Sequence, residues 1–358
     1  MKYLFGFFLS IHLIGYSQLD STRSYSLNYF GDVYYVVTPS DLPGNERQPF
    51  FYNHNRNGMG INRAGLQINV DDKSFRARIG VHAGSYVDDN YSTEFTALKY
   101  CSEVNVGVKL LKKKELWLDA GIFPSHLGFE SPTVFDNLTM TRSLVAEASP
   151  YYLTGAKLLF EPNKKWDFEF IVCNGWQHIS NSNNTVNLGA RITNETERRK
   201  TNLSLYWGNE YPTGNEQYRY FVNFYSIHQW KEKWQMVVDV DLGTEQEYHK
   251  SDSYNAWMGA DLIVRRRIKR NFISLRLEAF NDPNEMMMNA INAQEVAVGG
   301  CSLGYDRNIS DGVLFRMEGR YFTASKNIFN THNALFQADD SYFMIASTIC
   351  FNLNRKLN

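Results

Sequence analysis

Charged side chains recur at alternate positions through much of this 358-residue chain. In "FRARIGVHAG" (75–84), Arg76, Arg78 and His82 share one parity, and Phe75, Ala77, Ile79, Val81 and Ala83 share the other. That is the two-residue period of a strand with one apolar face. The same reading elsewhere selects Arg63, Gln67, Glu103, Asp119, Glu169, Asp239, Asp241 and Asp261, then Arg276, Glu278, Arg316, Glu318 and Arg320. A separate stretch, 124–150, supplies His126, Glu130, Asp136, Arg142 and Glu147. Such groups, set along a wall, can pair with one another, order water and sort solutes by charge.

Other chemistry finds little support. "GTEQEYHK" and "VGGCSLG" lack the Lys-Ser/Thr or the strand–helix setting of a phosphate loop. No His pair at i, i+4 suggests zinc, and "YNHNRNG" (52–58) offers one His among amides. Neither a metal nor a cofactor is expected. Asp88–Asp89 and Asp339–Asp340 fall on expected outer loops, where loop solvation explains them more simply than divalent ions shared with lipopolysaccharide. Met286, Met287 and Met288 read as a small helix or apolar plug. Cys101, Cys173, Cys301 and Cys350 fit no zinc or disulfide framework and read as small apolar fillers.

The elements that must position these charges follow from length and rhythm. After residue 16 no run approaches the roughly 18–20 apolar residues of a spanning helix, yet aromatics reach 15% against 21% charged residues. A formal net charge of −1 gives no general attraction for nucleic acid. "MKYLFGFFLSIHLIGYSQ" reads as a signal peptide over 1–18, followed by a short lead-in, 19–27, and one domain over 28–358. Within that domain sixteen strand-like segments lie at 28–38, 60–70, 74–86, 98–111, 116–123, 151–160, 166–176 and 185–194, then at 200–209, 218–230, 234–246, 256–265, 271–281, 294–306, 312–324 and 341–353. Every other connection is short and charged, such as "DDK", "KKKE" and "RRIKR", while those between are longer and rich in Asn, Asp, Gly, Ser and Pro. A soluble sandwich has no reason to sort its loops by parity. An all-β transmembrane, antiparallel up-and-down barrel does, with short periplasmic turns and longer extracellular loops.

In such a barrel the apolar parity meets lipid and the polar parity meets the lumen. An Arg facing lipid would cost about 2–4 kcal/mol near the midplane. Trp117, Trp166, Trp230 and Trp234 lie close to the short turns, at the level expected of headgroups. Sixteen strands enclose a space too wide for wall side chains to fill, so water is expected inside. Two readings of the inward charges stay open: local cross-strand ion pairs, or a transverse field with arginines near the barrel closure facing acids on the other side. The apolar content of 124–150 favours an inward fold that narrows the channel, against a lid held outside.

"DAGIFPSHLGFES", "TMTRSLVAEASPYYLTGAKLLF" and "FIVCNGWQHI" resemble the β-barrel porin-2 family, often called OmpL-like. "NERQPFFYNHNRNGMGINRAGLQINV" and "RARIGVHAGSYVDDNYSTE" are similar to that family's opening hairpin and first loops, and the likeness thins beyond about residue 200. The resemblance implies a pore in a Gram-negative outer membrane of Bacteroidetes type, and it carries over no catalytic residue and no solute. The expected function is passive diffusion of small hydrophilic solutes through a wetted, charged lumen, with outer-membrane lipid and lipopolysaccharide around it. An outer-membrane barrel enzyme resembling a phospholipase and a surface adhesin or scaffold are the alternatives, and association into a homo-trimer is left open.

Overall fold

A computed structural model describes residues 23–38, 48, 54, 57–94, 97–181, 183–288, 295–330 and 338–357. The expected signal peptide lies outside them, as do residues 289–292 behind the methionine run. Sixteen antiparallel strands close into a barrel in chain order. They are β1 (Ser24–Val37), β2 (Gly58–Asp71), β3 (Phe75–Ala83), β4 (Cys101–Lys109), β5 (Glu115–Pro124), β6 (Tyr152–Asn163), β7 (Trp166–Cys173) and β8 (Asn187–Glu195). There follow β9 (Arg199–Asn209), β10 (Tyr218–Trp230), β11 (Trp234–Gln246), β12 (Tyr254–Ile268), β13 (Asn271–Asp282), β14 (Val296–Ser310), β15 (Val313–Ala324) and β16 (Ser341–Leu357). β1 shuts the cylinder against β16, in register from Tyr25↔Leu357 to Val37↔Ile345, so the barrel sheet itself has no open edge.

Both ends of the described chain sit at the rim of the short turns. There the backbone turns sharply, with Lys269 at φ 57 and Gly312 at φ 78. A Cβ at Gly312 would also press on Leu353 Cδ2 at 2.5 Å and Asn352 O at 2.8 Å, so glycine is needed there twice over.

Alternation sorts the side chains as expected. On β3, Ile79 and Val81 are 57% and 50% exposed while His82 is 3% exposed. On β15, Met317 and Tyr321 face out, whereas Arg316, Glu318, Arg320 and Phe322 are buried inside. An apolar band of this extent is stable against acyl chains and not against water. Trp166, Trp230 and Trp234 are exposed on the outer surface near the short turns. Trp117 is not: it is 7% exposed, shares the inward parity of Asp119 and lies under the Arg76 guanidinium at 4.6 Å. That corrects its assignment to the headgroup level. A second aromatic ring lies near the other rim, where Trp207 stacks on Tyr218 and Tyr220 meets Tyr254 edge-on.

Boundaries differ by a few residues at several places, among them these three. β1 starts at Ser24, taking in the end of the expected lead-in. β3 stops at Ala83, because Gly84 opens a short helix, α1 (Ser85–Asn90). β4 begins only at Cys101, after a 3-10 turn over Leu98–Tyr100.

The larger difference is inside. The barrel's core lies within the cylinder, where inward Tyr206, Phe221, Trp257, Phe280, Phe322, Tyr342 and Met344 pack with Leu127, Val134, Met140, Leu144 and Val145 of the segment after β5. The interior is thus narrowed by 124–150, which brings its own apolar residues to a space that wall side chains alone could not fill. Met288 joins the same core, and the backbone N–H groups of Met286, Met287 and Met288 all donate to the Asp282 carboxylate.

Candidate functional site

Residues 125–151 cross the interior and touch the wall in several sectors. His126 Nε2 donates to Leu205 O at 2.8 Å on β9, and Gly128 N donates to Asn223 Oδ1 at 3.1 Å on β10. A one-turn helix, α2 (Leu144–Glu147), is capped by Ser143, whose Oγ accepts from Ala146 N. Its Val145 sits where Gly259 of β12 leaves room; a Cβ there would collide with Val145 Cγ1. Each Leu or Val so buried contributes about 1.5–3 kcal/mol, and together they draw the loop inward.

A charge network on β13 and β15 latches that loop. Arg276 donates to Glu318 Oε1 (2.8 Å), to Thr141 O (2.7 Å) and to Thr139 Oγ1 (3.1 Å). Glu318 Oε2 accepts from Thr141 N (2.6 Å) and Thr141 Oγ1 (2.9 Å). Arg320 is paired bidentately with Glu278, which also accepts from Leu144 N at 2.8 Å. Arg316 bridges Asp306, itself shared with Arg265, and donates to Val134 O. Arg276, Arg316, Glu318 and Arg320 have essentially no exposure. They grip a loop and each other; they do not face an open lumen. Neither Asp306 nor Arg265 stands out in the sequence, although "YDRN" carries Asp306 on the inward parity of β14.

The sector on the other side of β16, which pairs with both β15 and β1, is different. Between β1–β4 and loop residues 124–136 and 146–151 lies a cavity of about 340 Å³. Its lining includes Asn28, Phe30, Arg63, Gln67, Ser102 and Glu103 from the wall, Glu130, Thr133 and Asp136 from the loop, and Tyr91 and Tyr151 above. A β-bulge opposite Asp32 turns both Asn62 and Arg63 inward. Arg63 donates to His82 Nδ1 (3.0 Å) and Thr133 Oγ1 (2.8 Å) with its guanidinium 4.4 Å from the Phe30 ring. His82 Nε2 donates to Lys99 O, so both ring nitrogens are used. Asp136 accepts from Asn352 Nδ2 at 2.9 Å, and burial raises its carboxyl above the usual range. Phe30 and Tyr91 escaped sequence reasoning, since aromatic residues in a barrel are as common outside as in.

The remaining expected wall residues are scattered. Arg76 pairs with Asp119, and Arg78 pairs with Asp71 at 2.6 Å, both near the short-turn rim. Glu169 accepts from Arg191 at 2.6 Å. Asp239 and Asp241 share Asn223 as donor at 2.7 Å each, and Asp261 lies directly across from Asp239. His126 is buried in the loop, which brings it down to about 4 and keeps it neutral. Arg142 lies 3.5 Å over the Tyr151 ring with Glu147 at 3.4 Å, behind the cavity roof. The arginines of β13 and β15 thus have acids at their sides, which is the local-pair arrangement of the two readings. Among the described residues no His/Cys/Asp/Glu group could hold a metal ion.

No curated protein matches the chain by sequence. The fold is similar to that of the anion-selective porin from Comamonas acidovorans, at 11% identity and a TM-score of 0.62, over 92% of this chain and 100% of that one. It is similar to the trimer form of in-vitro folded OmpT, an outer membrane protein of Vibrio cholerae (8% identity, TM-score 0.60, 93% and 99% covered). It also resembles the outer membrane channel DcaP of Acinetobacter baumannii (10% identity, TM-score 0.57, 92% and 97% covered). At such identities the likeness is one of fold. The family described as "Putative beta-barrel porin-2, OmpL-like" matches residues 26–351, well past the point near residue 200 where the sequence likeness thins. With that match carried by a closed barrel of lipid-facing exterior, the chain belongs to the β-barrel porin-2 (OmpL-like) family and is an outer-membrane barrel.

Proposed function

We propose that the protein is a passive channel for small hydrophilic solutes, with the way through lying off-centre along β1–β4 and not down the barrel axis. The observation that carries this is the cavity, lined by charged and polar side chains, between that wall and the inward loop, set against an adjoining sector filled by apolar packing and paired charge. Residues of loop 124–150 bound it, Glu130 and Asp136 among them, so the loop sets the constriction. Arg63 stands at the wall side of the same space, with His82 behind it. Of the other expected pore residues, Arg76, Arg78, Asp119 and Glu169 lie nearer the short-turn side and are suited to contact solute after the constriction. The acids Asp239, Asp241 and Asp261 stand with the packed side.

The reading includes a signal peptide over 1–18, lipid and lipopolysaccharide around the barrel, assembly of three barrels and no catalytic role. Purified protein inserted into planar bilayers is expected to give steady conductance steps, and proteoliposomes to swell in small neutral solutes. Lipid hydrolysis without conductance would replace this reading with an enzyme. Cross-linking in detergent, expected to yield a species of three chains, tests the assembly.

A further inference from the structure

The two sides of the interior differ in how their carboxylates are neutralised. On β13–β15, Glu278, Glu318 and Asp306 each contact an arginine. Around the cavity, Glu103 accepts from the amides of Gln67 (3.1 Å) and Asn105 (2.9 Å). Glu130 Oε2 accepts from Ser143 N and Oγ, while Glu130 Oε1 is buried without a protein donor. Asp136 accepts from Asn352. Among the described residues, the donors to these three carboxylates are neutral. Among the residues lining the cavity, three carboxylates face one guanidinium, Arg63, which itself donates to His82 and Thr133; Arg316 and Arg276 reach Asp136 and Glu130 from the packed sector, each already paired with an acid of its own, Asp306 and Glu318. Arg142, behind the roof, is balanced by Glu147. Ser102 Oγ, on a residue only 9% exposed, also lines this space without a partner among the described residues. A neutral donor holds a carboxylate in place and leaves its field intact, and low-dielectric walls focus that field into the cleft.

From this we infer that the cavity is a cation-preferring filter: it admits alkali cations and small cationic organic solutes ahead of anions, with Glu103, Glu130 and Asp136 as its selectivity-determining residues. The inference rests on the channel reading and deepens it. It also separates this chain from its fold neighbour described as anion-selective.

The test is the reversal potential of the full-length protein in planar bilayers across a KCl gradient. Wild type is expected to pass K⁺ over Cl⁻ by about tenfold at low salt, at the lower end of what a like-signed cleft achieves, and the preference should shrink as salt rises. The isosteric triple variant Glu103→Gln, Glu130→Gln, Asp136→Asn should bring the ratio close to one, whereas Asp252→Asn in an outer loop should leave it unchanged. The three single variants, each lowering the ratio by a smaller factor, serve if the triple variant does not fold. Conductance with anion preference, or a cation preference indifferent to these substitutions, overturns the inference and leaves the channel standing. Absence of conductance from folded wild type overturns both.

Discussion

Two neighbouring sectors of this barrel's interior, separated by β16, solve one problem differently. Along β12–β15, aromatic side chains, loop residues and ion pairs pack until Arg276, Arg316 and Arg320 have essentially no exposure. Along β1–β4, bulges and amide-held acids border a cavity instead. The difference teaches that a wall charge in a barrel is not automatically a pore charge. A guanidinium buried between wall acids and loop carbonyls or hydroxyls is a fastener. A carboxylate held by neutral donors is free to act on whatever passes.

Glu318→Ala attacks the packed side most directly. It strips one carboxylate from Arg276 and the acceptor from Thr141 N, leaving two buried guanidinium groups, Arg276 and Arg320, to share Glu278, and breaking such a buried pair costs about 3–5 kcal/mol. Unfolding by denaturant in lipid should register that loss, and loop release should raise single-channel conductance. Stability within error of wild type would mean that the network does not hold the loop. Next comes Gly259→Leu, whose added atoms would strike Val145 and, at 2.6 Å, Phe280. Overpacking of this kind costs about 1–3 kcal/mol, read by the same unfolding curve.

On the cavity side, Gln67→Ala removes one donor to Glu103 and should cost only about 0.5–1.5 kcal/mol while widening the passage, as judged by uptake of larger sugars. A loss as large as that of the packed-side variants would erase the distinction between the two sectors.

The smallest effect concerns the outer loops, where His178 lies 3.4 Å from Glu210. The bond to Glu210 raises His178 above its usual 6.5. Burial pushes Glu210 up, but His178, Arg219, Tyr206 and Trp176 N outweigh it, and its carboxyl ends below its usual 4.5. The histidine's contribution is complete below 6.5 and lost as pH rises through its raised value. The carboxylate's is complete above 4.5 and lost as pH falls through its lowered value. Hydrogen exchange of residues 174–180 should be slowest between pH 4.5 and 6.5, after correction for intrinsic rates, and His178→Ala should flatten the profile.

Much of the fold is legible in the sequence because a strand writes its environment at every second residue. The alternation in "FRARIGVHAG" suffices to put Ile79 and Val81 outside and His82 inside. Turn chemistry marks the hairpins, as at "RRIKR", and loop parity marks the two rims. Trp117 shows the limit: nearness to a turn suggested a membrane anchor, yet its parity with Asp119 carried it inside. The pairing of Arg316 with Asp306 is a cross-strand contact, and inward parity names the partners without saying which acid each arginine meets.

The site was less legible. His126, Glu130, Asp136, Arg142 and Glu147 share a loop, but one buttresses β9, two border a cavity and two back its roof. No period governs a segment without regular structure, so nothing local distinguishes these roles.

By itself, the sequence determined a closed antiparallel barrel, its lipid face and the two kinds of connection, because each follows from side-chain period and turn composition over a few residues. Only the tertiary structure decided that the interior is half packed, which charges cancel and where space remains. Those depend on a loop folding back across strands more than a hundred residues away in sequence, as when Thr141 meets Glu318, |i−j| 177. Contacts of that range are set by the packing of the whole barrel, which no short stretch of sequence encodes.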